Sequence, residues 1–191
     1  MKAEKIIALL GFGNAKYMSA KTNNGDISKE IRQITASHGQ HPYAVIVTCS
    51  DSRVIPEEIF MCGIGELFTI RVAGNVIGET QLGSIEYAAG HLDCNLVVVL
   101  GHTQCGAVGA AIEGPGSGFI KFLTDEIRDA IGEEKDDYRA CCLNVTKGVR
   151  RIKEAFAGDE RLKNLSVVGA VYDIKTGKVT WMEEVSQLLT T

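Results

Sequence analysis

The chain predicts an α/β fold: a mainly parallel four-stranded sheet with an antiparallel edge strand and flanking helices. Three observations lead there. Short unbroken runs of Val, Ile and Leu recur at 44–48, 67–72, 96–100 and 167–172, as strands buried on both faces require. Helically spaced segments alternate with the first three runs, which implies βαβ units and a parallel sheet. Finally, residues 173–177 (DIKTG) form a turn signal, and 178–182 then read as a hairpin strand returning on the sheet edge.

Taken in order, residues 1–38 form an N-terminal helical arm. Its charged start, the apolar run 6–10 and Met18-Ser19-Ala20 imitate a secretory leader, but the run is short and Asn14 and Lys16 follow it, as in an amphipathic helix. After the first strand, Pro56 opens a short helix over 56–60, at the position where its missing N–H costs nothing. Leu82, Ile85, Ala88 and Leu92 place a helix over 79–92, and Gly106 opens another over 106–112. The loop 114–118 (GPGSG) lacks the Gly-Lys-Ser/Thr ending of a phosphate loop. Ile120, Leu123, Ile127 and Ile131 give a helix over 117–131, and Val145, Val149, Ile152 and Phe156 give one over 138–156.

No linker or charge block divides the 191 residues, of which 45% are hydrophobic, so one domain spans 1–191. The formal charge of −4 is spread along the chain, which argues against a nucleic-acid surface. No apolar run approaches the ~18 residues needed to cross a bilayer, so no membrane role is expected. The six cysteines sit mostly inside apolar runs and suit reduced thiols in the cytoplasm better than a disulfide framework.

Chemistry concentrates in two clusters. Cys49 ends the first strand; His102 and Cys105 follow the third. In open α/β sheets sites form beyond the carboxyl ends of strands, so topology brings all three to one edge. Two thiolates and an imidazole suit zinc, and three protein ligands leave a fourth position open for water. Cys105 lies at a helix start, where backbone N–H groups favour its thiolate. Zinc with two thiolates and a neutral imidazole carries no formal charge, so bound water is less acidified than in a three-histidine site. The site therefore needs a proton acceptor such as Asp51 or a compensating cation such as Arg53. Arg53 is placed to hold Asp51 by a bidentate bond, and Asp51 is near enough to be a switchable fourth ligand.

The runs Cys49-Ser50-Asp51-Ser52-Arg53 and Gly101-His102-Thr103-Gln104-Cys105-Gly106 closely resemble those of the β-class carbonic anhydrases, with 70–75 (IRVAGN), 84–88 (SIEYA) and 169–173 (GAVYD) fitting the same family. The resemblance covers about residues 10–182. It implies zinc-dependent, reversible hydration of carbon dioxide to bicarbonate by a metal-bound hydroxide, a lyase activity. It also implies Cys49, His102 and Cys105 as ligands of one zinc ion per chain. Asp51 and Arg53 become the catalytic dyad, with Asp51 able to replace water on the metal in a closed form. Gln40 matches a substrate-binding glutamine of the plant-like subtype. Phe68 and Tyr87 match apolar-pocket residues that line a cleft shared between two subunits, so a homodimer or higher homo-oligomer is expected. Ala73 stands where that pocket often has Val and should leave it roomier, and the backbone N–H near Gly106 should hold an oxygen. Ile46 replaces the Trp of the bicarbonate-inhibited subtype, which argues against that regulatory site. Two competing readings are a COS or CS2 hydrolase on the same scaffold and a non-catalytic zinc or thiol sensor; intact Asp51 and Arg53 speak against the latter.

Overall fold

A computed structural model describes residues 1–182. Its elements, in order, are α1 (Ala3–Tyr17), α2 (Lys29–His38), β1 (Ala44–Thr48), α3 (Pro56–Ile59), β2 (Leu67–Arg71), α4 (Glu79–His91), β3 (Leu96–His102), α5 (Gly106–Glu113), α6 (Ile120–Ile131), α7 (Asp137–Ala155), β4 (Ser166–Tyr172) and β5 (Val179–Trp181). Short 3₁₀ turns over Ala73–Asn75 and Glu160–Leu162 complete them.

The strands order as β2-β1-β3-β4-β5. The first four are parallel and β5 pairs antiparallel with β4, as the hairpin signal predicts. Asp173 ties that hairpin, its Oδ1 accepting from both the N–H and hydroxyl of Thr176, while Gly177 takes the left-handed conformation the turn needs. The unbroken apolar runs have the predicted meaning: every residue of β1 and β3 is buried. Alternation then divides each strand between two cores. Val45, Val47, Val97 and Val99 pack with Ile85 and Ala88 of α4 and Cys142, Val145 and Ile152 of α7. Ala44, Ile46, Val98 and Leu100 pack on the opposite face with Ile6 and Leu10 of α1 and Ile59 beside Phe60 of α3.

The structure corrects three boundaries. The helix expected over 117–131 starts at Ile120, because Gly118 adopts a left-handed φ of 55° just before it. The third strand runs two residues beyond 100, pairing Gly101 with Val171 and His102 with Tyr172. His102 is thus the last residue of β3 rather than a loop residue. Gly101 permits this because α7 lies so close that a Cβ there would stand 2.5 Å from Val145 Cγ2. The N-terminal arm, finally, is two unlike helices. α1 is anchored in the core, Asn14 donating to the carbonyls of Ile59 and Gly177 and accepting from the N–H of Val179, whereas α2 buries no residue.

Candidate metal centre

The chain leaves β1 toward β2 on one side and reaches β3 and β4 on the other, so the strand order reverses between the adjacent, parallel strands β1 and β3. Their carboxyl ends open the crevice where α/β sheets place ligands. Cys49 follows β1 directly, His102 ends β3, and Cys105 sits at the N-cap of α5.

All three side chains are buried, and the two sulfurs and one ring nitrogen of His102 lie within 4.8 Å of one another. The sulfurs are 4.0 Å apart. Zn–S bonds of ~2.3 Å at a tetrahedral angle put two sulfurs about 3.8 Å apart, so one ion fits with almost no movement. The imidazole supplies an independent test. His102 Nδ1 lies 2.9 Å from the carbonyl oxygen of Thr103, which only accepts, so Nδ1 carries the proton. Nε2 is then a buried lone pair, and it has no hydrogen-bond partner among the described residues. Such an orphan is costly unless a metal takes it. The donor set and its geometry fit zinc.

The sulfurs are prepared for charge. Cys49 Sγ accepts from the N–H groups of Gly74, at 3.3 Å, and Asp51, at 3.4 Å. Hydrogen bonding from Cys105 pulls the Cys49 pKa well down, and the same contact together with burial pushes that of Cys105 up. The N–H groups of Ala107 and Val108 do favour the Cys105 thiolate, as its helix-opening position predicts, but the neighbouring Cys49 charge outweighs them. Burial opposes charge on His102, yet the adjacent Cys49 sulfur and the Thr103 carbonyl raise its pKa overall. A dication bound here would take the place of those protons.

Asp51 and Arg53 form the expected fork. Arg53 Nε donates to Oδ1 at 2.9 Å and Nη2 to Oδ2 at 2.7 Å, while the Arg53 N–H also reaches Oδ1 at 2.9 Å. The guanidinium holds the Asp51 carboxyl far below the usual carboxylate range. Arg53 Nη2 also donates to the Gln104 carbonyl at 3.2 Å, tying the Cys49 loop to the His102–Cys105 loop. With both oxygens on Arg53, Asp51 is not among the clustered metal donors.

Other expected residues divide into two groups. Ala73 and Gly106 are at the centre: the peptide joining Ala73 to Gly74 gives the N–H on Cys49, and Gly106 is the exposed first residue of α5, with open space where a Cβ would stand. Phe68 and Tyr87 are not brought there within one chain. Their rings pack 6.2 Å apart, but Phe68 lies opposite Val45, four residues before Cys49 and hence about 13 Å along the strand. Gln40 is exposed between α2 and β1, and among the described residues its side chain makes no hydrogen bond.

Sequence reasoning missed the role of Arg71, which reaches back from the end of β2. Its Nε donates to the Cys49 carbonyl at 3.1 Å and its Nη2 to that of Asp51 at 2.7 Å. It also missed Cys141 and Asn144 of α7, which hold backbone carbonyls beside the ligands. An Arg inside the 70–75 run was a signal for the first; nothing in the sequence marked the other two.

An open α/β sheet with two cysteines and a histidine gathered at its reversal point defines a class of metal-site proteins, and comparison with known proteins names the family. A sequence model described as carbonic anhydrase matches residues 44–179. The chain is 32% identical to carbonic anhydrase 2 of Mycobacterium tuberculosis, over 92% of this chain and 91% of that protein. It is 34% identical to the carbonic anhydrase of Mycolicibacterium smegmatis, over 87% of each. Among solved structures, the β-carbonic anhydrase CafA of Aspergillus fumigatus superposes with a TM-score of 0.69 at 28% identity, covering 85% of this chain and 89% of that one. One of two tetrameric β-carbonic anhydrases of Sordaria macrospora gives 0.66 at 26% identity, covering 93% of both. The chain belongs to the β-class carbonic anhydrases, enzymes of carbon dioxide hydration.

Proposed function

We propose that this chain, as one domain, interconverts carbon dioxide with bicarbonate and a proton, using one zinc ion held by Cys49, His102 and Cys105. The observation that carries the metal reading is the buried, partnerless His102 Nε2 beside two sulfurs 4.0 Å apart. Zinc bound there supplies a Lewis acid that acidifies a water molecule at an open position.

The chain's own residues do the remainder. Asp51, kept ionised by Arg53, would orient that water or accept its proton. Arg53 fixes that carboxylate in one direction and holds both ligand loops in register. Gly106, whose first-turn N–H has no intrahelical partner, holds a substrate oxygen with Gln40. Phe68, Ala73 and Tyr87 form the apolar pocket for carbon dioxide. Since Phe68 and Tyr87 stand away from the ligands of their own chain, the reading requires a second copy to complete the cleft. A homodimer or higher homo-oligomer follows, a reading supported by the tetrameric Sordaria relative. A closed form, with Asp51 as fourth ligand, requires the Arg53 fork to open first. No described helix is long and apolar enough to cross a membrane, and all six cysteines are unpaired, which supports a cytoplasmic enzyme.

The test joins metal analysis to stopped-flow assays with CO2, COS and CS2 side by side. One zinc per chain with rapid CO2 hydration is expected. Preference for COS or CS2 would make the chain a hydrolase on the same scaffold, and zinc retained without turnover would make it a sensor.

A further inference from the structure

The face that α7 turns toward the metal centre carries three polar side chains at a regular interval. Asp137, Cys141 and Asn144 stand at positions i, i+4 and i+7, one stripe of a helix. Each ends on backbone beside the metal centre. Asp137 Oδ2 accepts from the Gln104 N–H at 2.8 Å, beside Cys105. The Cys141 thiol donates to the carbonyl of His102 at 3.0 Å. Asn144 Nδ2 donates to the carbonyl of Gly74 at 2.8 Å, and Gly74 is the residue whose N–H meets Cys49.

These bonds fall on the parts of the centre with least support of their own. Gln104 has a φ of 55°, a left-handed conformation that a residue with a side chain holds only when its surroundings fix it. Gly74, at φ 70°, has the backbone freedom of glycine and so is oriented by its contacts. Cys141 is 2% and Asn144 5% exposed. Neither bond is exchanged cheaply for one to water. The neighbouring Cys142 looks the other way, into the core shared by α4 and the valines of β1 and β3. Two adjacent cysteines on one helix thus have different surroundings.

We propose that Cys141 and Asn144 are positioning residues for the metal ligands. Cys141 fixes the peptide that carries His102 and precedes Thr103, the acceptor of the ring's Nδ1–H, and so aims Nε2. Asn144 fixes the Gly74–Asn75 peptide and with it the backbone angles at Gly74, whose own N–H, on the preceding peptide, stabilises the Cys49 thiolate. Asp137 holds the Gln104 bend between His102 and Cys105. The inference rests on the reading of Cys49, His102 and Cys105 as zinc ligands.

The experiment compares the holoenzyme with Cys141→Ala, Cys141→Ser, Asn144→Ala and Cys142→Ala. Zinc affinity is measured by competition with a chromophoric chelator, the cobalt-substituted form gives an electronic spectrum, and melting of the metal-free protein reports stability. Groups that orient metal ligands alter affinity by about 10–100-fold. A loss of that size, with a shifted cobalt spectrum, is expected for Cys141→Ala and Asn144→Ala. Cys141→Ser, which keeps a donor, should recover most of it. Cys142→Ala should lower the melting temperature and leave affinity and spectrum at parental values. Parental zinc affinity in folded Cys141→Ala or Asn144→Ala overturns the proposal, as does an equal loss in Cys142→Ala. If Cys141→Ala does not fold, Asn144→Ala against Cys142→Ala decides it. A parent that binds no zinc would instead refute the ligand reading.

Discussion

Replacing Gly74 by Ala tests the fold and the metal centre together. Gly74 has φ 70° and ψ 15°. An L residue there costs about 1–2 kcal/mol from the left-handed conformation alone. Its Cβ would lie 2.6 Å from Ile127 Cδ1 and 3.1 Å from Ala107 Cβ. The end of Ile127 can rotate, but it is fully buried, so overpacking adds at least about 1 kcal/mol. The sum, about 2–4 kcal/mol, corresponds to roughly 4–16 °C in melting temperature for a chain of this size. Any rotation of the 73–74 peptide also moves the N–H off Cys49 Sγ, a bond to a charged acceptor of about 1.5–3 kcal/mol, or roughly ten- to a hundredfold in zinc affinity. Thermal melts of the metal-free protein, followed by circular dichroism, and chelator competition measure the two effects separately. A melting temperature within about 2 °C of the parent would refute the strain argument. Unchanged zinc affinity in a clearly destabilised variant would refute the coupling between this bend and the sulfur.

Three further outcomes are expected. Cys49→Ser and His102→Ala should each lose bound zinc and CO2 hydration together, read by metal analysis and stopped-flow; normal turnover without zinc would end the mechanism. Arg53→Ala should still load zinc at saturating metal, because Cys49, His102 and Cys105 all remain. Its kcat/KM should nonetheless fall about a hundredfold, since a misplaced catalytic group costs that much; full activity would remove Asp51 from the proton path. Asp173 supplies a pH test on a group that is not a metal donor. Hydrogen bonds from Thr176 lower its folded pKa, so its contribution is present above the ordinary carboxylate pKa of ~4 and disappears as acid brings the pH down through the depressed value. In urea melts the stability margin of the parent over Asp173→Asn should therefore hold from about pH 8 to 5 and shrink below about pH 4. A margin that grows on acidification would reverse the assigned sign.

The sequence alone determined the parallel strands, the edge hairpin and the edge of the sheet where chemistry collects. These are properties of short segments: a run such as 44–48 has only buried positions available to it, and whatever ends β1 and β3 lies at one edge because both strands point the same way. It is their adjacency in the sheet that brings it together. The pairing of Asp51 with Arg53 was legible for the same reason, the two being neighbours in sequence. Only the tertiary structure decided that His102 belongs to its strand, because that depends on Gly101 meeting Val145 from a helix more than forty residues later. It likewise decided which cysteines matter. Cys141 and Cys142 are alike in composition and adjacent in the chain, and the rotation of α7 against the sheet sends one to the His102 carbonyl and the other into the core that α7 and α4 share with the sheet. The pocket residues show the same division: Phe68 and Tyr87 are recognisable as a pair, but strand register sets them a strand's length from Cys49, because distance across a sheet follows pairing rather than sequence.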